Sequence, residues 1–353
     1  MQLDTAKKYY KFLIPLNILL IVFIYYQLFY SRYYWEGEND KTFIIEQGKN
    51  LDEIVSDLQK SEIIPNSFLF KLAVKLSFKE NQIIANTYIF SNGMNNSDLI
   101  SLLTDKNLNQ LVKITIPEGY TLKQIAKLAS AKLSLSQDKI FYEASNDSLI
   151  NILGLKGKVK NLEGFLFPDT YTISPKISER SLVNLLFNEF RKNVTDNEEF
   201  NSEIENRNST LLETITLASI IEGETKLVSE KPTISGVYVN RLKKGMRLEA
   251  DPTIQYVLPG GPKNRLLFED LKIKSPYNTY LNKGLPPGPI NNPGLTSIQA
   301  ALYPEEHNYI FFVATGEGGH NFSENYEQHK NAIKEYKAKL RSLKKEKQQK
   351  KDK

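Results

Sequence analysis

The spacing of apolar and polar positions divides this chain into stretches of different period. Residues 12–30, FLIPLNILLIVFIYYQLFY, carry no charge over 19 positions. At 1.5 Å per residue that length reaches across a hydrocarbon layer of roughly 30 Å, so the pattern predicts a membrane-spanning anchor over residues 12–32. Lys7, Lys8 and Lys11 precede it, and Tyr25, Tyr26, Tyr30, Tyr33, Tyr34 and Trp35 crowd its far end. That asymmetry predicts a short cytoplasmic tail, residues 1–11, with the rest of the chain outside the cytoplasmic membrane. A cleaved signal peptide would need small residues at a cleavage site, and FYSRYYWEGE is bulky and charged.

Beyond the anchor the period changes to that of small strand–helix units, and it does so twice. TFIIEQGKNLDEIVSDL from Thr42 and KITIPEGYTLKQIAKLA from Lys113 align 71 residues apart, matching Ile45 with Ile116, Gly48 with Gly119, Leu51 with Leu122 and Ile54 with Ile125. Alternation before each glycine predicts a strand, the glycine a tight turn, and the Leu/Ile spacing that follows a helix. Small modules of this pattern resemble LysM domains, which bind N-acetylglucosamine polymers; a generic βα unit accounts for the pattern as well. The first module is expected over 40–110, and the second, with a connecting region, over 111–179.

A third pattern is apolar on nearly all sides. Thr214 to Ile221 carries no charge and ends in Glu222, Gly223 and Glu224. A helix without a polar face is buried within its domain, and Gly223 is expected to loosen its end. Glu222 then sits at the edge of a core, where loss of hydration favours the protonated carboxyl and suits it to general-acid work. The alternative is that Glu222 caps the buried face and points to water. EGFLFPDTY, from Glu163, and GLPPGPINNPG, from Gly284, read as irregular segments, the second as a rigid crossing loop.

Composition narrows the chemistry. With 353 residues and 41% hydrophobic content the chain can bury real cores, and two or three units are expected. It has no cysteine, which excludes disulfides, thiolate nucleophiles and cysteine zinc sites. The net charge of +5 is local: Lys334–Lys353 holds ten Lys/Arg against three acids, so the remainder nets about −2. The segment 338–353 reads as a basic tail on a solvated helix end, and the body offers no basic surface for nucleic acid. His307, His320 and His329 lack compact ligand spacing, so no metal is expected. Serine-hydrolase, Walker and Rossmann signatures are all missing, and no cofactor is expected.

LASIIEGET, VYVNRLKKGMRLEADPTIQY, SPYNTYLNKGLPPGPINNPG and FFVATGEGGHNFSENYEQH occur in that order. Together they resemble the YceG-like family of endolytic murein transglycosylases, and EGFLFPDTY, IPEGYT and the N-terminal anchor fit the same family. The resemblance covers roughly residues 40–335 together with the span. It implies lytic cleavage between N-acetylmuramic acid and N-acetylglucosamine in nascent peptidoglycan, leaving 1,6-anhydro ends and terminating strand growth, with peptidoglycan synthases as possible partners. It also implies that Glu222 is the catalytic residue.

The other matched segments are expected to line the glycan groove: Asp251, Thr253, Gln255 and Tyr256; Tyr277, Asn278 and Tyr280; His320, Asn321 and Phe322. Glu224, two residues from Glu222 and therefore on another helix face, is expected in a supporting role, and Asn240 and Arg241 either support the groove or pack helices. The family commonly has Gln where this chain has Glu249, an acid that either raises the Glu222 pKa further or points elsewhere. Two other classes stay open: a hydrolase with Asp251 as second carboxylate, and a non-catalytic wall-binding scaffold. The expected fold is α+β: a transmembrane helix, small LysM-like βα modules, and a mixed α/β catalytic domain over 180–337.

Overall fold

The computed structural model describes residues 2–35, 40–106, 111–175 and 177–351, with side chains described from 14 to 342 within those spans. The expected cytoplasmic tail and most of the basic tail therefore have side chains outside the described residues. The chain forms two compact units, one of Met1–Ile114 and Tyr171–Leu185, the other of Thr115–Thr170 and Leu186–Lys353.

In the first unit a long helix, α1 (Gln2–Tyr30), is followed by β1 (Lys41–Ile44), α2 (Leu51–Lys60), α3 (Ser67–Leu76), β2 (Thr87–Phe90) and α4 (Asn96–Thr104). β1 and β2 pair antiparallel, with Phe43 opposite Tyr88. Ile45, Ile54, Leu58, Phe70, Phe90 and Leu99 fill the core between this ribbon and the helices. Asn50 caps α2 in a reciprocal pair with Glu53, satisfying backbone donors that the first turn leaves free.

Among the described residues no helix is long and apolar enough to cross a membrane, so the expected span over 12–32 is not supported there. The last turn of the apolar run is committed to protein, since Phe29 is buried in the core and Leu28 packs on it. Earlier in α1, Ile18, Leu19, Ile21 and Phe23 are all more than half exposed.

The second repeat opens with β3 (Val112–Thr115), which carries the chain out of the first unit. Then come α5 (Leu122–Leu133), α6 (Gln137–Ala144), α7 (Asp147–Ile152) and β4 (Thr170–Ile173), the partner of β3. The repeat is real at the level of geometry. Gly48 and Gly119 both adopt positive φ, 92° and 75°, the region glycine enters without strain, and Thr121 caps α5 with Gln124 as Asn50 caps α2.

The second unit continues through the last turns of α8 (Glu179–Phe190), α9 (Glu198–Asn206), α10 (Leu211–Glu224), α11 (Lys231–Lys243), α12 (Asp251–Val257) and α13 (Leu295–Leu302). The hairpin β5 (Phe311–Ala314) and β6 (His320–Ser323) follows, and α14 (Tyr326–Lys351) packs on it. The glycine-rich GEGGH supplies the hairpin turn, with Gly316 and Gly318 at positive φ. α10 packs against α11, α12 and α13, and every residue from Thr214 to Glu222 is buried, as a helix without a polar face requires. Strands among the described residues form three two-stranded sheets, so the fold is α+β and largely helical around α10.

Two details depart from the sequence reading. Gly223 does not loosen α10: a β-carbon there would lie 2.6 Å from the Pro252 ring, so the glycine lets α12 approach closely. Nor is GLPPGPINNPG a plain crossing loop, because Ile290, Asn291 and Asn292 are buried. The Ile290 amide donates to Ser219 Oγ at 3.0 Å and the Asn291 amide group to the Ser219 carbonyl at 2.8 Å. The loop thereby satisfies polar groups that α10 carries into the core.

Candidate active site

Glu222 stands in the last turn of α10 and is 1% exposed. Its two carboxylate oxygens differ sharply. Oε2 accepts from Ser297 Oγ at 2.6 Å, Lys231 Nζ at 3.0 Å and the Gly294 amide at 3.3 Å. Oε1 has no hydrogen-bond partner; its neighbour is Lys226 Nζ at 3.5 Å. One oxygen is thus anchored at the first turn of α13, where backbone N–H groups and the helix dipole favour negative charge, and the other faces Lys226 alone among the charged groups paired with it.

The buried cation explains a departure from the sequence reading. Burial alone would push the Glu222 carboxyl up, but the Ser297 hydrogen bond and the Lys231 and Lys226 charges outweigh it, and its pKa is lowered, not raised. Lys231 is only 2% exposed and also donates to Thr296 Oγ1 at 2.8 Å. In the sequence it stands just before Pro232, as an ordinary polar residue at a helix start, and nothing local marks it as buried.

Above this pair lies the turn of the second repeat. Gly119 approaches so closely that a β-carbon would touch Glu222 Cγ at 3.4 Å. Its amide donates to the Asn292 carbonyl, and the Asn292 amide donates back to Tyr120, each at 2.9 Å. The Asn292 side chain binds the Gly164 and Leu166 amides and reaches Glu163 Oε1 at 3.1 Å, while Glu163 accepts from the Leu122 amide at 2.8 Å. Burial pushes Glu163 up to about 8. Glu163 and Asn292 therefore join three irregular segments around Glu222.

The sequence pattern of the YceG-like family matches residues 43–335. The chain belongs to the YceG-like family. It is 33% identical over 305 residues to a protein of Bacillus subtilis named endolytic murein transglycosylase, covering 83% of each chain. A Streptococcus pneumoniae protein of the same name is 31% identical over 329 residues, of which the match covers 59%. The crystal structure of a YceG-like protein from Listeria monocytogenes superposes with a TM-score of 0.58 at 31% identity, over 84% of this chain and 99% of that one.

Within this YceG-like fold the expected groove residues separate into two groups. Several are spent on structure. Thr253 is fully buried and bonded to Thr279 Oγ1 at 2.9 Å and to the Ala250 carbonyl. Asn278 is also fully buried and donates to the Leu271 and Ile273 carbonyls. Gln255 clamps the Lys263 backbone with both ends of its amide. The neutral hydrogen-bonding types that suit sugars serve equally to satisfy buried backbone, so composition did not tell the roles apart.

The aromatic members remain half-buried. The Tyr256 and Tyr277 rings lie 5.1 Å apart, and Tyr280 donates to Asp251 Oδ1 at 2.6 Å. His320 meets Glu230 through both its backbone amide, at 2.9 Å, and Nδ1, at 2.8 Å, beside Lys231 in the chain. Phe322 packs on Tyr309 and Phe312, and Asn321 lies between these residues on β6.

Glu224 faces away from Glu222 and accepts from Tyr238 Oη at 2.6 Å; burial chiefly pushes it up to about 7. Asn240 donates to the His307 and Tyr309 carbonyls. Arg241 binds the Ile310 and Leu248 carbonyls and Glu249 Oε2, the last at 3.3 Å. Both are packing residues of α11, and Glu249 points to Arg241, not to Glu222. Sequence reasoning missed Lys231 and Ser297, which hold Glu222 Oε2. Among the described residues no cluster of three or more His, Asp or Glu side chains has the geometry to hold a metal.

Proposed function

We propose that this chain is an endolytic murein transglycosylase with Glu222 as its single acid and base. The observation that carries the reading is the asymmetry of that carboxyl group: Oε2 is held by three donors while Oε1, buried and unbonded, is free to meet a glycosidic oxygen. The names of relatives more than 30% identical point to the same activity.

Protonated Glu222 donates to the glycosidic oxygen between N-acetylmuramic acid and N-acetylglucosamine as the C1–O bond breaks through an oxocarbenium-like state. The resulting carboxylate takes the proton of the muramic acid C6 hydroxyl, whose oxygen closes on C1 to give the 1,6-anhydro end. Glu222 finishes protonated, as it began, and no water is consumed. Lys231 and Ser297 stabilise the carboxylate that exists between the two proton transfers. Tyr256 and Tyr277 offer faces on which sugar rings stack.

A hydrolase using Asp251 has less support, because Asp251 is bonded to Tyr280 and belongs to the surroundings of Glu224. The LysM-like reading of residues 40–110 is supported by the β1–α2–α3–β2 order and its antiparallel strand pair. A membrane-associated location for α1 is supported by the exposed apolar side chains from Ile14 to Tyr26.

Mass spectrometry of uncrosslinked peptidoglycan strands incubated with the full chain or its Glu222→Gln variant tests the assignment. Anhydro-terminated fragments, absent with the variant, are expected. Reducing ends would make the protein a hydrolase, and no cleavage by either would favour a scaffold.

A further inference from the structure

The turn over the site brings a second carboxylate to the buried cation. Glu118 Oε2 lies 4.0 Å from Lys231 Nζ, on whose near side Glu222 Oε2 sits at 3.0 Å. The distance between the two carboxylates is bounded by these two contacts to one nitrogen. The Glu118 side chain is half exposed, 49% against 1% for Glu222, so it stands at the mouth of the site. Glu118 lies against the start of α13, where a β-carbon at Gly294 would fall 1.9 Å from Glu118 Oε1, so the glycine lets the carboxylate take this position. The turn is also fixed from below, through the paired Gly119, Tyr120 and Asn292 backbones. In the first repeat the equivalent of Glu118 is Gln47, so the same turn forms without the charge.

We propose that Glu118 is a positioning residue of this site that acts through Lys231: when Glu222 takes up a proton, Glu118 becomes the counter-ion of the Lys231 ammonium. The inference rests on the role assigned to Glu222 above. Only an O–H bond forms in the step; its proton comes from solvent, and the ammonium keeps all of its own. A buried ammonium left beside a neutral carboxyl is costly, and a second, partly hydrated acceptor within reach removes much of that cost. Sharing the cation also weakens its hold on Glu222, making protonation easier.

The groups facing Glu222 are few. Lys231 approaches from the start of α11, Lys226 from the connection before it, and Ser297 and the Gly294 amide from α13. Glu118 acts across Lys231 from the β3–α5 turn, while the neighbouring Glu230 is occupied by His320.

The test uses the full chain and its Glu118→Gln, Glu118→Asp and Glu222→Gln variants, with two readouts: kcat and KM on uncrosslinked strands between pH 4 and 8, and carbon-13 NMR titration of the Glu222 carboxyl. With Glu118→Gln, Lys231 belongs to Glu222 alone. The Glu222 midpoint is then expected to fall by about one unit, and kcat at neutral pH about tenfold. KM should stay within about twofold, activity should recover toward acid pH, and Glu118→Asp should restore part of the shift. An unmoved midpoint with kcat reduced equally at all pH values would make Glu118 merely structural and overturn the proposal. A raised KM with an unmoved midpoint would make it a substrate contact and overturn it equally. If the wild-type chain cleaves nothing, the functional assignment fails; the NMR titration still decides whether Glu118 and Glu222 share Lys231.

Discussion

At the scale of single residues, two buried carboxyl groups of the second unit are driven in opposite directions, and their effects on stability have opposite signs. Glu222 is held below the ordinary range, so its contribution is present above the unfolded-state value of about 4.5 and is lost as pH falls through the folded value. Replacing Lys231 by Met removes one of the groups that, with Ser297 and Lys226, outweigh burial. The Glu222 midpoint should rise, and near pH 7 the carboxylate that has lost its buried partner should cost about 3–5 kcal/mol. Thermal unfolding between pH 4 and 8 checks this: the variant should be closest to wild type at acid pH and fall away as pH rises. Equal destabilisation at every pH would mean that Lys231 contributes packing alone.

Glu163 runs the other way. Raised to about 8, it is neutral in the folded protein at pH 7, so its contribution is present below about 4.5 and is lost as pH rises toward 8. Glu163→Gln keeps an acceptor for the Leu122 and Asn292 donors without a charge to bury. The variant's melting temperature should therefore fall less between pH 5 and 8, by several degrees, which thermal scans at those pH values would measure. The place of Glu222 at the edge of a core was one of two readings the sequence offered, because an uncharged run that ends in an acid marks where a core ends, and its burial decides between them. Lys231, Ser297 and Glu118 were not legible there, because Ser297 meets Glu222 from 75 positions away and Glu118 meets Lys231 from 113, and no periodicity reports such a meeting.

At the scale of elements, the site depends on how closely irregular segments approach α10. Gly223 and Gly164 are the contact points. A methyl at Gly223 meets Pro252, and one at Gly164 lies 2.4 Å from Pro289 on a backbone at φ 89°. Gly223→Ala is expected to cost about 1–3 kcal/mol by overpacking. Gly164→Ala should cost more, because the left-handed backbone adds strain to the same clash. Urea titration of each variant checks the order, and a Gly223→Ala protein as stable as wild type would show that α12 gives way freely. The helix that follows each repeat turn, the buried helix α10, and the irregularity of the proline-rich loop were legible from period and composition. The burial of that loop was not, since its Ser219 and Glu163 partners are themselves set by the folded neighbourhood.

At the scale of the whole molecule, the second unit is discontinuous in sequence: it takes Thr115–Thr170 along with everything from Leu186. The helical region from residue 180 onward carries Glu222, but Gly119, Glu118, Glu163 and the Asn292 contacts of Tyr120 come with the earlier segment. A fragment beginning at residue 180 would lose the cover that Phe165 gives Phe190 and that the Gly164 turn gives Ile215 and Pro289. It would also strip Asn292 of its partners and leave Lys231 without its second acceptor. Such a fragment is expected to lack a cooperative thermal transition and to cleave no glycan, whereas residues 111–353, which restore both segments, should fold and cleave. Circular dichroism melting with glycan mass spectrometry on the two fragments separates the cases. Cleavage by residues 180–353 alone would mean that the turn over Glu222 is dispensable and that α10, α11 and α13 make up the whole reacting site.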